Sequence, residues 1–235
     1  MDVKVSIHTG AVISTQDFYN EVGKRYEDAF GHDAGLEKVV RRYLSLLPSD
    51  ASVLDCGCGT GKPVSSIVAE SRRPLHGIDF SLTMVELSKK QVPQGAFQCC
   101  DMLSYAPSPA SFGGVIANLS LFELSRAELT SMALNFFQWI QPGGYLLIGV
   151  FGAEDCETKP EQYDADGECA SGVENTFMAH RVSMTLFTKL GWNKLLAGAG
   201  FDIVHTETDW FSPPPAAICD DDPHYFVIAK KPNAT

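Results

Sequence analysis

Three glycines at alternate positions, Gly57, Gly59 and Gly61, follow a short apolar run that ends in Asp55. Alternating glycines let the backbone adopt positive φ angles and leave no side chain between the main chain and a flat ligand. The pattern predicts a buried strand, a turn and a helix start that together bind a nucleoside-like molecule. A glycine-rich turn that binds nothing is the competing interpretation of this stretch alone.

The spacing of these glycines and the neighbouring acid narrow the class of ligand. Dinucleotide-binding loops read G-x-G-x-x-G and P-loops read G-x-x-x-x-G-K-[ST], whereas this chain has G-x-G-x-G. Phosphate binding at a helix N-terminus is favoured where no carboxylate lies nearby. Asp55 therefore suits a cationic or zwitterionic ligand better than a phosphate.

Two more acids stand at the ends of the next predicted strands. Asp79 ends the apolar run 75–79, one crossover helix after the glycines, and Asp101 lies in a third predicted strand over residues 95–102. An acid in the position of Asp79 can accept hydrogen bonds from both hydroxyls of a ribose. The alternative, an acid that caps the next helix, is weakened because Ser81 can act as that N-cap.

The stretch from Val53 to Gly61 resembles the cofactor loop of class I S-adenosylmethionine (SAM) methyltransferases. The segment with Tyr19 and Tyr26 resembles the one that covers the cofactor in methyltransferases of the ubiquinone/menaquinone-biosynthesis type, although ordinary packing along an amphipathic helix also explains these tyrosines. The turn over residues 141–144 resembles the Lys-Pro-Gly-Gly turn of the same family. The resemblance extends from about residue 16 to residue 231.

This resemblance implies SAM as cofactor and S-adenosylhomocysteine as product. It also implies that Asp101 accepts a hydrogen bond from the adenine amino group, beside the backbone N–H of Met102. The cofactor-binding residues that we expect are Tyr19, Tyr26, Asp55, Gly57, Gly59, Gly61, Asp79, Phe80, Asp101, Met102, Asn118 and Leu119.

The acceptor side is expected around the loop after the fourth strand and in residues 152–187. Related enzymes often carry a histidine in that loop, and Glu123 stands in its place here, which argues against a histidine base from this loop. Residues 152–187 are acidic and interrupt the alternation of helices and strands, as a substrate lid or a disordered connection would. A lid predicts that deleting residues 154–171 raises the KM for the acceptor and leaves SAM affinity almost unchanged.

The candidate general bases are His180 first, then Glu123 and His8. Each has an alternative interpretation. His180 could be a histidine on the surface of the lid, Glu123 an ordinary loop acid, and His8 part of an N-terminal segment without a catalytic role. The expected substrate-pocket residues are Phe122, Phe177, Met178 and Arg181.

These elements predict an α/β chain with a Rossmann-like sheet of seven mostly parallel strands, an antiparallel last strand and helices on both faces. A single helix is predicted over residues 14–30. We expect an N-terminal helical cap over residues 1–48, a SAM-binding core over 49–151, a lid insert over 152–187 and the C-terminal completion of the sheet over 188–235. A chain of 235 residues can bury one large core, so one structural domain is expected overall.

Composition restricts the partners and the compartment. The formal net charge of −11 argues against nucleic acid and against an anionic membrane surface, and it favours a small-molecule partner. Cys56, Cys58, Cys99 and Cys100 are predicted at strand ends inside the core, as reduced thiols of a cytoplasmic protein without a metal site. The sequence has no membrane-length apolar run and no charged leader before an apolar segment. A monomer or a homodimer is expected.

The sequence thus predicts a SAM-dependent methyltransferase that acts on an O, N or S atom of a small, partly apolar molecule, such as a specialised metabolite. Positioning of the reactants alone can supply roughly 7–11 kcal/mol of the barrier reduction. A phenol or an alcohol benefits from a general base, while a carboxylate or a neutral amine needs none. The alternatives are a cyclase or rearrangement enzyme that binds SAM without transferring its methyl group, and a non-enzymatic regulator.

Overall fold

The computed structural model describes residues 4–6 and 12–233, so His8 lies outside the described residues. In chain order the helices and strands are β1 (Lys4–Ser6), β2 (Val12–Ser14), α1 (Thr15–Val22), α2 (Lys24–Phe30), α3 (Ala34–Leu46), β3 (Val53–Cys56), α4 (Val64–Glu70), β4 (Leu75–Asp79), α5 (Leu82–Gln91), β5 (Ala96–Cys99), β6 (Phe112–Asn118), α6 (Arg126–Trp139), β7 (Ile140–Phe151), β8 (Cys169–Phe177), β9 (His180–Phe187), α7 (Lys189–Gly198), β10 (Asp202–Phe211) and β11 (Asp222–Lys230).

A seven-stranded sheet in the order β10-β11-β7-β6-β3-β4-β5 forms the centre of the molecule. The pairs β3/β4, β4/β5, β3/β6 and β6/β7 are parallel, and β11 runs antiparallel between β7 and β10. Parallel neighbours need crossover connections, which α4, α5 and α6 supply. The predicted α/β class, with its mostly parallel sheet and antiparallel last strand, is confirmed.

Helices cover both faces of this sheet because each face of the buried strands is apolar. Side chains of α3, α4 and α5 pack on one face in a cluster that includes Val53 and Ile116. Side chains of α6 and α7 pack on the other face with Leu54 and Val115. Neighbouring residues of β3 thus point to opposite layers, and all four residues of that strand are buried.

The N-terminal helix breaks at Gly23, so the prediction of one helix over residues 14–30 is wrong. Gly23 has φ +47°, which a residue inside a right-handed helix does not adopt. Spacing of apolar residues by four continues across the break, which is why the sequence pattern does not reveal it. Tyr19 of α1 and Tyr26 of α2 nevertheless remain neighbours, with ring centroids 6.4 Å apart.

Within residues 152–187, the strands β8 and β9 form a β-hairpin that joins the N-terminal strands in a second, four-stranded sheet with the order β2-β1-β9-β8. Strands β8 and β9 meet at a turn in which Met178 and Ala179 have positive φ angles of 50° and 67°. Strand β1 pairs with β9 where Ser6 faces Arg181. The N-terminal cap and the insert therefore meet in one sheet, although they lie far apart in the sequence.

Ion pairs connect the first half of the insert, residues 152–168, to the helices α6 and α7. Arg126 of α6 binds Asp164 at 2.8 Å and also contacts Asp166, and Lys189 of α7 binds Asp155 at 2.7 Å. The residues that open β8 are fully buried. Deleting residues 154–171 would remove part of the core, so we expect a general loss of stability in place of a selective effect on the acceptor.

The cysteines divide into two kinds. Cys56 and Cys58 are buried as predicted, whereas Cys99 is exposed and Cys100 half-buried, so the prediction that these last two lie in the core is wrong. The reason is that β5 is an edge strand whose residues are mostly exposed. Within residues 4–6 and 12–233, no three metal-binding side chains cluster to hold a metal ion, and no helix there has the length and apolarity to cross a membrane.

Candidate cofactor and acceptor site

The glycine loop between β3 and α4 lies at the carboxyl end of the parallel strands. The amides of Gly57 and Cys58 donate hydrogen bonds of 2.8 and 2.9 Å to the carbonyl of Ile78, which ties the loop to β4. Gly57 has φ +82°, and a Cβ at this position would lie 2.3 Å from the Cβ of Ser120. Glycine is therefore required here both by the backbone conformation and by the close approach of the next loop.

Gly59 faces open space at the centre of the loop. It has φ +51°, and the nearest atom to an added Cβ would be Cε1 of Tyr26, 3.9 Å away. The space between this glycine and the Tyr26 ring is part of a cleft that could hold a flat group.

Asp79 holds the middle of the loop from the end of β4. Its two oxygens accept hydrogen bonds of 2.9 Å, one from the amide of Gly59 and one from the amide of Ser81. Burial raises the pKa of Asp79 to about 6. Ser81 is itself the N-cap of α5, through a bond from the amide of Met84, as the sequence suggested.

Asp55 is fully buried behind the loop. The hydroxyl of Ser65 donates a hydrogen bond of 2.6 Å to its carboxylate. Burial, with a smaller contribution from the charge of Asp79, raises the pKa of Asp55 to about 7. A carboxyl group in this state gains from a nearby cation, because the cation stabilises its ionised form.

A first cavity, with an empty volume of about 480 Å³ that is partly open to solvent, lies over the loop. Its wall combines the glycine loop, the end of β6 and aromatic rings from α2. The lining residues are Tyr26, Phe30, Asp33, Leu36, Asp55, Gly57, Cys58, Gly59, Lys62, Pro63, Val64, Asn118 and Leu119.

A second cavity of about 590 Å³ adjoins the first, and Tyr26, Phe30 and Leu119 line both. Aromatic rings from the helices α1 and α2, from β7 and from β8 make most of its wall. The remaining lining residues are Phe18, Tyr19, Phe122, Glu123, Phe151, Asn175, Phe177, Val182, Ser183, Met184 and Asp222. The arrangement thus has a polar cavity over a glycine loop and a mostly aromatic cavity beside it.

Comparison with known proteins identifies this arrangement. A family model described as a methyltransferase domain matches residues 53–144. Over 188 residues the chain is 30% identical to a trans-aconitate 2-methyltransferase of Variovorax paradoxus, covering 78% of this chain and 69% of that protein. The chain belongs to the class I SAM-dependent methyltransferases.

Other methyltransferases and one cyclase are also similar. The chain is 24% identical to the dTDP-3-amino-3,6-dideoxy-alpha-D-glucopyranose N,N-dimethyltransferase of Streptomyces fradiae, over 85% of this chain and 80% of that one. The crystal structure of a cyclase named SpnF superposes with a TM-score of 0.68 at 16% identity, over 94% of this chain and 97% of that one. That likeness concerns the fold.

The methyltransferase cleft contains a polar atom that fits the cofactor of the family. Oδ1 of Asn118 is buried and has no hydrogen-bond partner among the described residues. An unsatisfied buried acceptor is costly unless a ligand or water satisfies it. This oxygen lies against Gly149, where an added Cβ would be 2.0 Å from it, so a half-turn of the amide is needed to present it to the ammonium group of SAM. The space over Gly59 admits a nucleoside.

Five expected cofactor residues of the methyltransferase lie outside the lining of both cavities, namely Gly61, Asp79, Phe80, Asp101 and Met102. Asp101 is exposed beyond the end of β5 and accepts a hydrogen bond of 2.9 Å from the amide of Leu103, and Met102 follows it in the same turn. The strand ends at Cys99 and does not extend to residue 102 as predicted. Phe80 packs edge-to-face against Tyr19, with centroids 5.7 Å apart, and so supports the ring of Tyr19.

The acceptor-side predictions divide in a similar way. Phe122, Glu123 and Phe177 line the second cavity, whereas Met178, His180 and Arg181 do not. Met178 and His180 flank the hairpin turn, where Nδ1 of the histidine lies 2.7 Å from the carbonyl oxygen of Met178. Side chains alternate along a strand, so β9 turns Val182 and Met184 to the cavity and Arg181 away from it, to an ion pair with Glu174.

A buried charge cluster of the methyltransferase was missed from the sequence. His224, 1% exposed, lies between Asp33 and Asp222, with Nδ1 3.2 Å from Asp33 Oδ2 and Nε2 3.7 Å from Asp222 Oδ2. Neither approach has the alignment of a good hydrogen bond. Burial alone would lower the pKa of His224, but the two carboxylates beside the ring raise it above its ordinary value.

A signal for this cluster exists in the sequence. His224 interrupts an otherwise apolar strand that is buried on both sides, and a histidine in such a strand requires polar partners. Asp222, two residues earlier on the same strand, could be read as one partner, whereas Asp33 could not, because it is the N-cap of α3 and lies almost the whole chain away.

Proposed function

We propose that this enzyme transfers the methyl group of SAM to an O, N or S atom of a small, partly apolar molecule. The observation that carries the proposal is the pair of adjoining cavities, which share Tyr26, Phe30 and Leu119 as a common wall. A polar cavity that suits SAM would thus open toward an aromatic cavity that suits the acceptor. The net charge of −11 supports a small acceptor over a nucleic acid.

In this proposal SAM lies in the first cavity. Asp79 is hydrogen-bonded to the amide of Gly59, which lines this cavity, but is not itself part of the lining. It would hold the ribose through the lone pairs that its two backbone hydrogen bonds leave available. Asn118 and Asp55 would face the positively charged amino-acid part. Asp101 and Met102, at the exposed rim, would reach the adenine only where that ring extends beyond the cavity.

When bound, SAM supplies a methyl group that its sulfonium activates for direct displacement. The protein then needs chiefly to position the acceptor and to exclude water. Leu119 and the rings of Tyr26 and Phe30 line both cavities. An acceptor in the second cavity can therefore place its reacting atom next to a cofactor in the first. Glu123, which lines the acceptor cavity, remains a candidate to hold a proton from the acceptor, whereas the position of His180 at the hairpin turn gives it less support.

Binding of the demethylated cofactor tests the first half of this proposal. Asp79→Ala should weaken S-adenosylhomocysteine binding about tenfold or more, because charge-assisted hydrogen bonds contribute roughly 1.5–3 kcal/mol. Isothermal titration calorimetry measures the change. Asp202→Ala, which removes an exposed carboxylate at the start of β10, is the matched control and should bind as the wild type does. Equal affinities of the two variants would remove Asp79 from the site.

A cyclisation or rearrangement without methyl transfer is the second candidate. The aromatic wall of the second cavity could fold an apolar substrate, and a cyclase shares the fold over 94% of this chain. Incubation with methyl-labelled SAM and a panel of small aromatic acceptors separates the two functions. Label in a product supports transfer, and a rearranged, unlabelled product supports the alternative.

A further inference from the structure

We infer that Asp222 receives the proton of the acceptor, and that the enzyme therefore selects acceptors with an O–H or N–H group over carboxylates. This inference rests on the proposed function, because it assigns the acceptor class of the same site. Asp222 lines the aromatic cavity while its carboxylate contacts His224 on the other side. No sequence motif of the family marks this residue.

The first argument is that Asp222 is held by a chain of fixed groups. Asp33 caps α3 with one oxygen, through a hydrogen bond of 2.9 Å from the amide of Leu36, and directs the other oxygen to His224. The imidazole ring is stacked between Phe151 and Phe211, with both centroids 6.1 Å away. His224 is thus a positioning residue whose ring is held beside Asp222 by the two phenylalanines.

The second argument is the charge of this cluster. The cluster has two carboxyl groups for one imidazole ring, and Asp222 is the member that lines the aromatic cavity. Burial raises the pKa of Asp222, and His224 only partly offsets this effect. A carboxylate whose pKa lies above its ordinary value is a better proton acceptor near neutral pH.

The third argument is what else faces Asp222. Titratable groups from several elements surround Asp222, in addition to Asp33 and His224. These elements are α1, α2, the loop after β6, the segment after β7 and the residues before β11. The groups are Tyr19, Tyr26, Glu123, Cys156, Cys219 and Asp221. The described lining of this cavity includes no lysine or arginine. A carboxylate acceptor would meet the carboxylate of Asp222 with no lysine or arginine in the described lining to bind it, whereas a hydroxyl or an amine can donate a hydrogen bond to Asp222.

The proton balance of the reaction agrees with this role. The acceptor atom uses a lone pair to form its bond to the methyl carbon, the carbon–sulfur bond breaks with its electron pair left on sulfur, and the acceptor loses one proton. Asp222 takes that proton and later releases it to water. A carboxylate acceptor has no proton to lose and would leave Asp222 without a function.

Binding of matched probes tests the inference without knowledge of the natural acceptor. The probes are naphthol, naphthylamine and naphthoate, with the functional group at the same ring position, titrated into the enzyme saturated with S-adenosylhomocysteine. For the wild type we expect naphthol and naphthylamine to bind about tenfold more tightly than naphthoate, since a hydrogen bond to a charged group contributes roughly 1.5–3 kcal/mol.

Variants assign this preference to particular residues. Asp222→Asn should reduce the preference at least about fivefold and His224→Gln should reduce it less, while Asp221→Asn, which removes the exposed neighbouring charge, should keep it. The preference is a ratio measured on one protein sample, so partial unfolding of a variant does not change it. This makes it a readout that a merely structural role of His224 would leave unaltered.

The outcomes separate the inference from the proposed function. If the wild type binds S-adenosylhomocysteine but binds naphthoate as tightly as naphthol, or binds none of the probes, the inference is wrong and the proposed function stands. Equal effects of Asp222→Asn and Asp221→Asn would also overturn it, because they would indicate a general charge effect. Absence of S-adenosylhomocysteine binding would refute the proposed function itself.

Discussion

Asp55→Asn should make the protein free of cofactor more stable at neutral and alkaline pH, although Asp55 belongs to the cofactor motif. The carboxyl group is fully buried, and its pKa rises from 3.8 to about 7 on folding. In the unfolded chain the group ionises near pH 4, while in the folded protein it keeps its proton up to about pH 7. The folded state therefore binds more protons in this interval, and its stability falls as the pH rises through it.

The size of this effect follows from the shift. Each pKa unit corresponds to about 1.4 kcal/mol, so a shift from 3.8 to about 7 lowers the free energy of unfolding by at most about 4 kcal/mol above pH 7. Asparagine does not ionise, and its amide oxygen can still accept the hydrogen bond that Ser65 donates to Asp55. The variant should equal the wild type near pH 4 and exceed it by about 2–4 kcal/mol at pH 8.

Urea denaturation at several pH values between 4 and 8 measures this difference. Asp50→Asn, which neutralises an exposed acid just before β3, is the control and should show no such pH dependence. A constant difference between Asp55→Asn and the wild type at every pH would refute the reasoning, and so would a variant that is less stable than the wild type at pH 8. The same substitution should weaken S-adenosylhomocysteine binding, because the buried charge that favours a cation is gone.

Two further substitutions test the loop and the insert. Gly57→Ala should abolish S-adenosylhomocysteine binding in calorimetry, because the added Cβ would lie 2.3 Å from the Cβ of Ser120. Gly172→Ala is the control for backbone strain alone, because Gly172 has φ +70° and no atom lies within 4 Å of the added Cβ. Equal effects would mean that strain and not the collision matters. Arg126→Ala should lower stability by less than about 1 kcal/mol, because its ion pairs are partly exposed, yet it should speed proteolysis around residues 157–168. Lys89→Ala, which breaks an exposed pair within α5, is its control, and an unchanged cleavage rate would contradict the anchoring role of Arg126.

The positions of the glycine loop and of the acids Asp55 and Asp79 could be predicted from the sequence because their determinants are local. The glycines, Asp55 and Asp79 lie at the ends of adjacent parallel strands, and hydrophobic periodicity fixes where those strands end. The helices between these strands act as crossover connections, so they constrain which strands can lie next to each other in parallel in the sheet. The edge strand β5 was the exception, since few tertiary contacts hold its end, and the prediction extended it three residues too far.

The acceptor half could not be predicted because it depends on contacts between distant segments. Phe177 and Val182 line the second cavity where they pack against Phe18 and Val22 of α1, and no sequence pattern specifies that contact. Arg181 was expected in the pocket because it lies among aromatic and thioether residues, yet strand alternation turns it outward. Asp222 and His224 lie two residues apart on β11, and Asp33 joins them only once α3 packs beside that strand, so the sequence alone did not indicate the complete cluster.

The second sheet also determines at what stage of protein synthesis the second cavity can form. A nascent chain that has emerged through β7 already contains the glycine loop and the five parallel strands, so the nucleotide side can begin to assemble. Strand β1, although made first, has no strand of the insert to pair with until β9 leaves the ribosome. The cofactor side of the sheet can thus form early in translation, while the part of the acceptor cavity that β8 and β9 build must wait until most of the polypeptide has been made.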